Sequence, residues 1–153
     1  MEALRHLVKG IDPVADGFAG TVQTDIVSMR NYKRAEFIII KGVGATGTST
    51  ITVEACDDVS ASNTTAIPFY YQAITTGDTA GALTAATVSG FATTAGSSQV
   101  YRILVNASDM AASGYEFLRL AAVEVVNNPV LGGVLIELYE SKDGRDVPAT
   151  AIV

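Results

Sequence analysis

Glu36-Phe37-Ile38-Ile39-Ile40-Lys41, then Gly42-Val43-Gly44-Ala45-Thr46-Gly47, then Thr48-Ser49-Thr50-Ile51-Thr52-Val53-Glu54-Ala55-Cys56, is the stretch that decides the fold. The first segment is a continuous apolar run, as expected of a strand covered on both faces. The glycines after it match G-x-G-x-x-G, the pattern of a dinucleotide-binding turn. That chemistry needs a helix opening on the third glycine, whose first N–H groups hold the pyrophosphate. Here Thr alternates with Ile and Val after Gly47, which suits a strand and offers no helical face. A P-loop fails too, because Thr48 stands where the phosphate-binding lysine is required. The stretch reads as two antiparallel strands joined by a glycine-rich connection.

The same alternation of strand formers and turn formers extends outward in both directions. Residues 21–29 place Val22, Thr24, Ile26 and Ser28 on one face and Gln23, Asp25, Val27 and Met29 on the other. Residues 67–75, 99–106 and 131–141 are strand candidates, with Pro68 near the start of its run, where a missing donor is tolerated. Residues 83–94 have weak strand character. Residues 107–112 suit a single helical turn capped by Ser108. In residues 115–126, Phe117, Leu118, Ala121, Ala122 and Val125 have helical spacing, but Leu118, Leu120, Ala122 and Glu124 also alternate with Arg119, Ala121 and Val123. Strand neighbours and the Val-rich end make this segment a strand. Turn clusters of Gly, Ser, Thr, Asn and Asp separate the runs. The pattern predicts an all-β fold, an antiparallel β-sandwich (jelly-roll-like) of about eight strands over residues 19–141. Phe37, Ile39, Ile51, Val53, Ile103, Val105, Leu118, Leu120, Leu135 and Leu138 are its expected core.

Residues 1–18 read as an N-terminal arm, since Pro13 interrupts both helix and ladder bonding. Residues 142–153 read as a C-terminal tail, polar and then apolar. Docking on a neighbour and disorder both fit that tail. Leu4, Leu7, Val8, Ile11, Val14, Ile152 and Val153 have no evident place in the sandwich and are the candidate partner-binding residues.

The chain has 153 residues and a net charge of −6, with only 17% charged and 48% hydrophobic residues. It is long enough to bury a core without staples. The charge disfavours nucleic acid as a partner, because a phosphate-gripping protein carries a basic stripe and the bases here are scattered. The low charge density suits a surface covered by a partner or by further copies of the chain. The one cysteine, Cys56, excludes an internal disulfide framework and reads as an inert thiol near the core. No signal sequence and no apolar run of about 20 residues occurs, so a cytoplasmic origin and no membrane partner are expected.

Reactive constellations are weak. The only histidine, His6, lies in the expected arm, which disfavours a His-based triad. Glu36, Glu54, Glu116, Glu124, Glu137 and Glu140 lie on or beside strands, and nothing selects a catalytic pair among them. Asp57-Asp58 with Ser60, Ser62 and Asn63 is oxygen-rich but lacks the spacing of a calcium loop. Tyr70 and Tyr71 are the best sugar-stacking candidates, with core packing the plainer reading. No catalytic residue, metal site or cofactor is expected.

The order of segments carries a resemblance. Asp12-Pro13 leads into Val27-Ser28-Met29-Arg30-Asn31-Tyr32-Lys33-Arg34-Ala35, then 37–42 and the glycine-rich loop, Thr50-Ile51-Thr52-Val53-Glu54-Ala55-Cys56 and Ile67-Pro68-Phe69. Tyr101-Arg102-Ile103-Leu104-Val105-Asn106-Ala107-Ser108-Asp109-Met110 and Tyr115-Glu116-Phe117-Leu118-Arg119-Leu120 follow. This order resembles small virion proteins of tailed bacteriophages, of the head-decoration or cement kind. The resemblance implies a non-enzymatic sandwich on the outer face of a capsid, with the major capsid protein as partner and a homo-oligomer, a trimer above all, as its state. It implies assembly in the bacterial cytoplasm and a final place on the virion exterior. A tail or baseplate protein and a glycan- or receptor-binding sandwich fit the same residues.

Overall fold

The computed structural model describes residues 5–43 and 46–143, with Thr76 by its main chain alone. Thirteen strands succeed one another in these residues. They are β1 (His6–Val14), β2 (Thr21–Gln23), β3 (Val27–Ser28), β4 (Tyr32–Lys41), β5 (Thr48–Cys56), β6 (Thr64–Ile67) and β7 (Phe69–Thr76). Then come β8 (Thr79–Ala80), β9 (Thr84–Ala86), β10 (Phe91–Ala92), β11 (Val100–Asn106), β12 (Phe117–Val126) and β13 (Gly132–Ser141). One 3₁₀ turn, Ala107–Met110, stands between β11 and β12.

All pairings are antiparallel, and the strands form two sheets. Sheet A runs β1-β13-β4-β11-β7-β8, with β9 also on β7. Sheet B runs β10-β5-β12-β2, with β3 also on β12 and β6 also on β5. The all-β sandwich expected from the alternation is what the chain forms, and residues 115–126 do supply a strand. Seven strands have seven or more residues, and the other six are two to four residues long.

The core between the sheets follows the period of two. Sheet A contributes Ala35, Phe37 and Ile39 from β4, Tyr101, Ile103 and Val105 from β11, and Val134, Ile136 and Leu138 from β13. Sheet B contributes Ile51, Val53 and Ala55 from β5 and Leu118, Leu120 and Ala122 from β12. Leu135 was expected among them and is only half-buried. It alternates with Val134 and Ile136, so it points to the opposite face.

Four further expectations are corrected. The segment expected as an arm is an edge strand in its described part: β1 pairs with β13 from His6↔Leu138 to Val14↔Gly132. Pro13 is accommodated because β1 is irregular, with register shifts between Lys9 and Ile11 and between Ile11 and Val14. No boundary at residue 18 therefore separates an arm from the sandwich. Residues 21–29 form two short strands interrupted at Thr24. Its buried hydroxyl accepts from Leu120 N at 3.0 Å and donates to Asp25 O. The run 36–41 is covered on one face only, since Ile40 is 46% exposed. Finally, β4 and β5 do not pair. The glycine-rich stretch between them carries the chain from sheet A to sheet B.

Candidate interaction surface

The solvent side of sheet A can be written row by row from its register. The first row is Gly133, Ile40, Val100, Ile74 and Ala80. The second is Lys9, Leu135, Ile38, Arg102 and Gln72. The third is Leu7, Glu137, Glu36, Leu104, Tyr70 and Ala85. The fourth is Tyr139, Arg34 and Asn106. Nine large aliphatic or aromatic side chains thus stand on one solvent face. Leu7 (62%), Ile40 (46%) and Tyr70 (45%) are the most exposed of them. A solvated face of an antiparallel sheet is ordinarily polar.

Sheet B comes closer to that rule, although Val123 (44%) and Val125 (61%) on β12 are exposed. Its outward rows pair Arg119 with Glu54, Ala121 with Thr52 and Gln23, and Val123 with Thr50 and Thr21. Arg119 Nε donates to Glu54 Oε2 at 2.7 Å. Small residues and threonines make up most of the remainder. The two solvent faces of one sandwich therefore differ in degree: sheet B presents mainly threonines, small residues and an ion pair with few large apolar side chains, and sheet A presents many.

At the centre of the apolar face lies an ion pair. The Arg102 guanidinium grips both carboxylate oxygens of Glu36, Nη2 donating to Oε2 at 3.1 Å and Nε to Oε1. Arg102 Nη1 also donates to Gln72 Oε1 at 3.3 Å, and Gln72 Nε2 donates to Gly81 O at 2.8 Å. The bond to Glu36 raises the Arg102 pKa. Arg5 closes the neighbouring carboxylate, with Nη1 3.0 Å from both oxygens of Glu137 and its guanidinium 5.6 Å from the centroid of the Tyr139 ring. Burial, and secondarily Glu36, raises the Tyr139 phenol.

The described residues of the set expected to bind partners do not share one face. Val8 is buried in the core and Ile11 packs against it, so the expectation that neither has a place in the sandwich is corrected. Leu7 and Val14 are exposed, Leu7 on the outer face opposite Glu137 and Val14 at the end of β1 opposite Gly132. Leu4, Ile152 and Val153 lie outside the described residues. The rows that do form a surface (Ile38, Ile40, Val100, Leu104, Leu135) were legible as strand but not as surface. Their one sequence signal was the unbroken run 37–40.

The other motifs resolve locally. Asp58 accepts from Ser60 N, Ser62 N and Ser62 Oγ, and Asp57 accepts from Asn63 N and Nδ2. These bonds hold both carboxyls below the ordinary range and use their oxygens within the loop. Tyr71 stacks on Phe91 inside the sandwich with centroids 3.9 Å apart, whereas Tyr70 points outward, so the two cannot form one sugar platform. Cys56 is buried, and burial pushes its thiol up to about 11. Among the described residues, no cluster of His, Cys, Asp and Glu is arranged to hold a metal ion. No described helix is long and apolar enough to cross a membrane.

One buried polar cluster was not legible in the sequence. Lys41, 3% exposed at the end of β4, turns its ammonium inward. Nζ donates to Thr94 O at 2.7 Å, Gly47 O at 3.1 Å and Gln99 Oε1 at 3.3 Å. Tyr101 Oη donates to the same Gln99 oxygen, and Gln99 Nε2 donates to Thr94 Oγ1. Burial lowers the Lys41 pKa. The cluster ties the intersheet connection to sheet A.

These features define a two-sheet antiparallel sandwich with one apolar solvent face. No family model and no curated protein sequence matches the chain. Among solved structures, the crystal structure of the SPBc2 prophage-derived protein YomS shares the fold. Its TM-score is 0.51 at 13% identity, over 92% of this chain and 96% of that one.

Proposed function

We propose that this chain is a non-enzymatic structural virion protein of a tailed bacteriophage, one that binds the outer surface of the capsid and reinforces contacts between major capsid subunits. The single observation that carries the reading is the apolar solvent face of sheet A on a charge-poor protein. Such a face is built for burial against protein. The shared fold with a prophage-derived protein supports a phage setting, and the segment order supports the decoration class. The net charge of −6 favours a place away from packaged DNA. A protein that binds only the assembled shell would stabilise it by mass action.

The test is sedimentation of purified protein with capsids of its phage that lack it. Saturable co-sedimentation, with a raised capsid melting temperature, is expected. Full-length protein left in the supernatant at saturating capsid would refute decoration and favour a tail or baseplate role.

A further inference from the structure

We propose that the outer face of sheet A is the docking surface for a second copy of this chain, the two sheets packing face to face about a two-fold axis. A capsid would compete for the same face, so the dimer is the state of the chain before it meets one, and its test needs no capsid.

Geometry limits how copies of this chain can meet. Adding a strand to a sheet edge needs a long, regular edge strand. The edge strand β1 is broken by two register shifts and Pro13. At the other path ends β8 and β10 have two residues each and β2 has three. Edge addition is closed off, which leaves the faces. Only sheet A has a face with the composition of a sandwich interior, where two sheets interdigitate about 10 Å apart.

The size fits as well. Five strands (β1, β13, β4, β11, β7) at ~4.8 Å spacing, each seven to ten residues long, make a face of roughly 600–800 Å². Stable complexes bury about 800 Å² per partner.

Charge selects a second copy over an oppositely charged partner. Across this face each charge has its counter-charge: Glu36 with Arg102, Glu137 with Arg5, Asp12 with Lys9 and Glu140 with Arg34. The acidic excess that makes the chain −6 therefore lies elsewhere. Two copies repel through most of their surface and least through this one. A strongly basic partner would find no attraction here. In an isologous contact the apolar rows of one copy meet those of the other, and the paired ions at the centre bring no unpaired charge into it.

Sedimentation equilibrium of the full chain at micromolar to submillimolar concentration tests the proposal. Wild type should be a dimer. Ile40→Glu and Tyr70→Glu, exposed positions on β4 and β7, should each weaken it by at least about tenfold. Thr52→Glu, on the outer face of sheet B, should leave the dimer intact. Circular dichroism checks that each variant folds, and either of the two sheet A variants suffices. A monomeric wild type would overturn the proposal and leave the face to residues 144–153 or to another protein. A wild-type trimer would overturn the two-fold arrangement. Dimers undisturbed by both sheet A variants, or broken equally by Thr52→Glu, would overturn the choice of face.

Discussion

Arg102 on β11 holds Glu36 on β4 by two parallel hydrogen bonds, diagonally across the strand pair. Glu36 is 3% exposed although it stands on a solvent face. Arg102 itself shields the carboxylate. Replacing Arg102 by Met should leave Glu36 without its cation. Because the Arg102 side chain is 41% exposed, the cost is expected at about 1–3 kcal/mol, below that of a fully interior pair. Urea unfolding of Arg102→Met, Glu36→Gln and the double variant would measure it. A coupling near zero in that cycle would assign the pair to the surface class.

Lys41 offers a sharper case. Lys41→Met preserves the length and apolar stem but leaves Thr94 O and Gly47 O without the ammonium. Unsatisfied buried acceptors cost more than desolvation of the ammonium returns, so a loss of ~2 kcal/mol is expected in chemical denaturation. An unchanged midpoint would mean that water replaces the ammonium.

Burial raises the Cys56 thiol from 9.0 to about 11. The unfolded chain therefore releases this proton at lower pH than the native protein does. The contribution of Cys56 to stability is full below about pH 9 and falls as pH rises toward 11. Comparing melting temperatures of wild type and Cys56→Ala across that interval isolates the contribution, and the wild type should lose more. Labelling with a thiol reagent at about pH 8 should be slow in the native protein and fast in urea.

Ile103 and Leu135 contrast the two faces of one sheet. Ile103→Ala should cost ~2–5 kcal/mol, since the side chain is fully buried. Leu135→Ala should cost about 1 kcal/mol or less in a monomer, because the side chain is only half-buried. Equal losses in the two variants would contradict the assignment of Leu135 to the outer face.

Much of the secondary structure could be read from residues close in sequence. The alternation in 48–56, 100–106 and 117–126 is a local property, and each became a strand with the expected side inward. The expectation for Leu135 and Leu138 together broke the period, because residues three apart on a strand cannot share a face. The arm reading of 1–18 weighed Pro13 and the turn formers. It could not weigh the partner strand, which lies more than a hundred residues away at the other end of the chain.

The candidate surface was legible in one respect only. The run 37–40 asked for cover on both faces, and the described chain covers one. Neither Arg102 beside Glu36 nor Lys41 beside Thr94 and Gln99 could be found by spacing, since each contact joins segments brought together by the fold.

The sequence by itself determined that this protein is all-β and which side of most strands is apolar, because side-chain direction alternates with every residue of an extended chain. Only the tertiary structure decided that β4 and β5 lie in opposite sheets, that β1 closes onto β13, and that the second apolar face of β4 is left to solvent. Those outcomes depend on which distant strands share a ladder, and backbone hydrogen bonding between strands is the same whatever the side chains. What chooses among the possible ladders is the summed burial of both sheets at once, a property that no single segment carries.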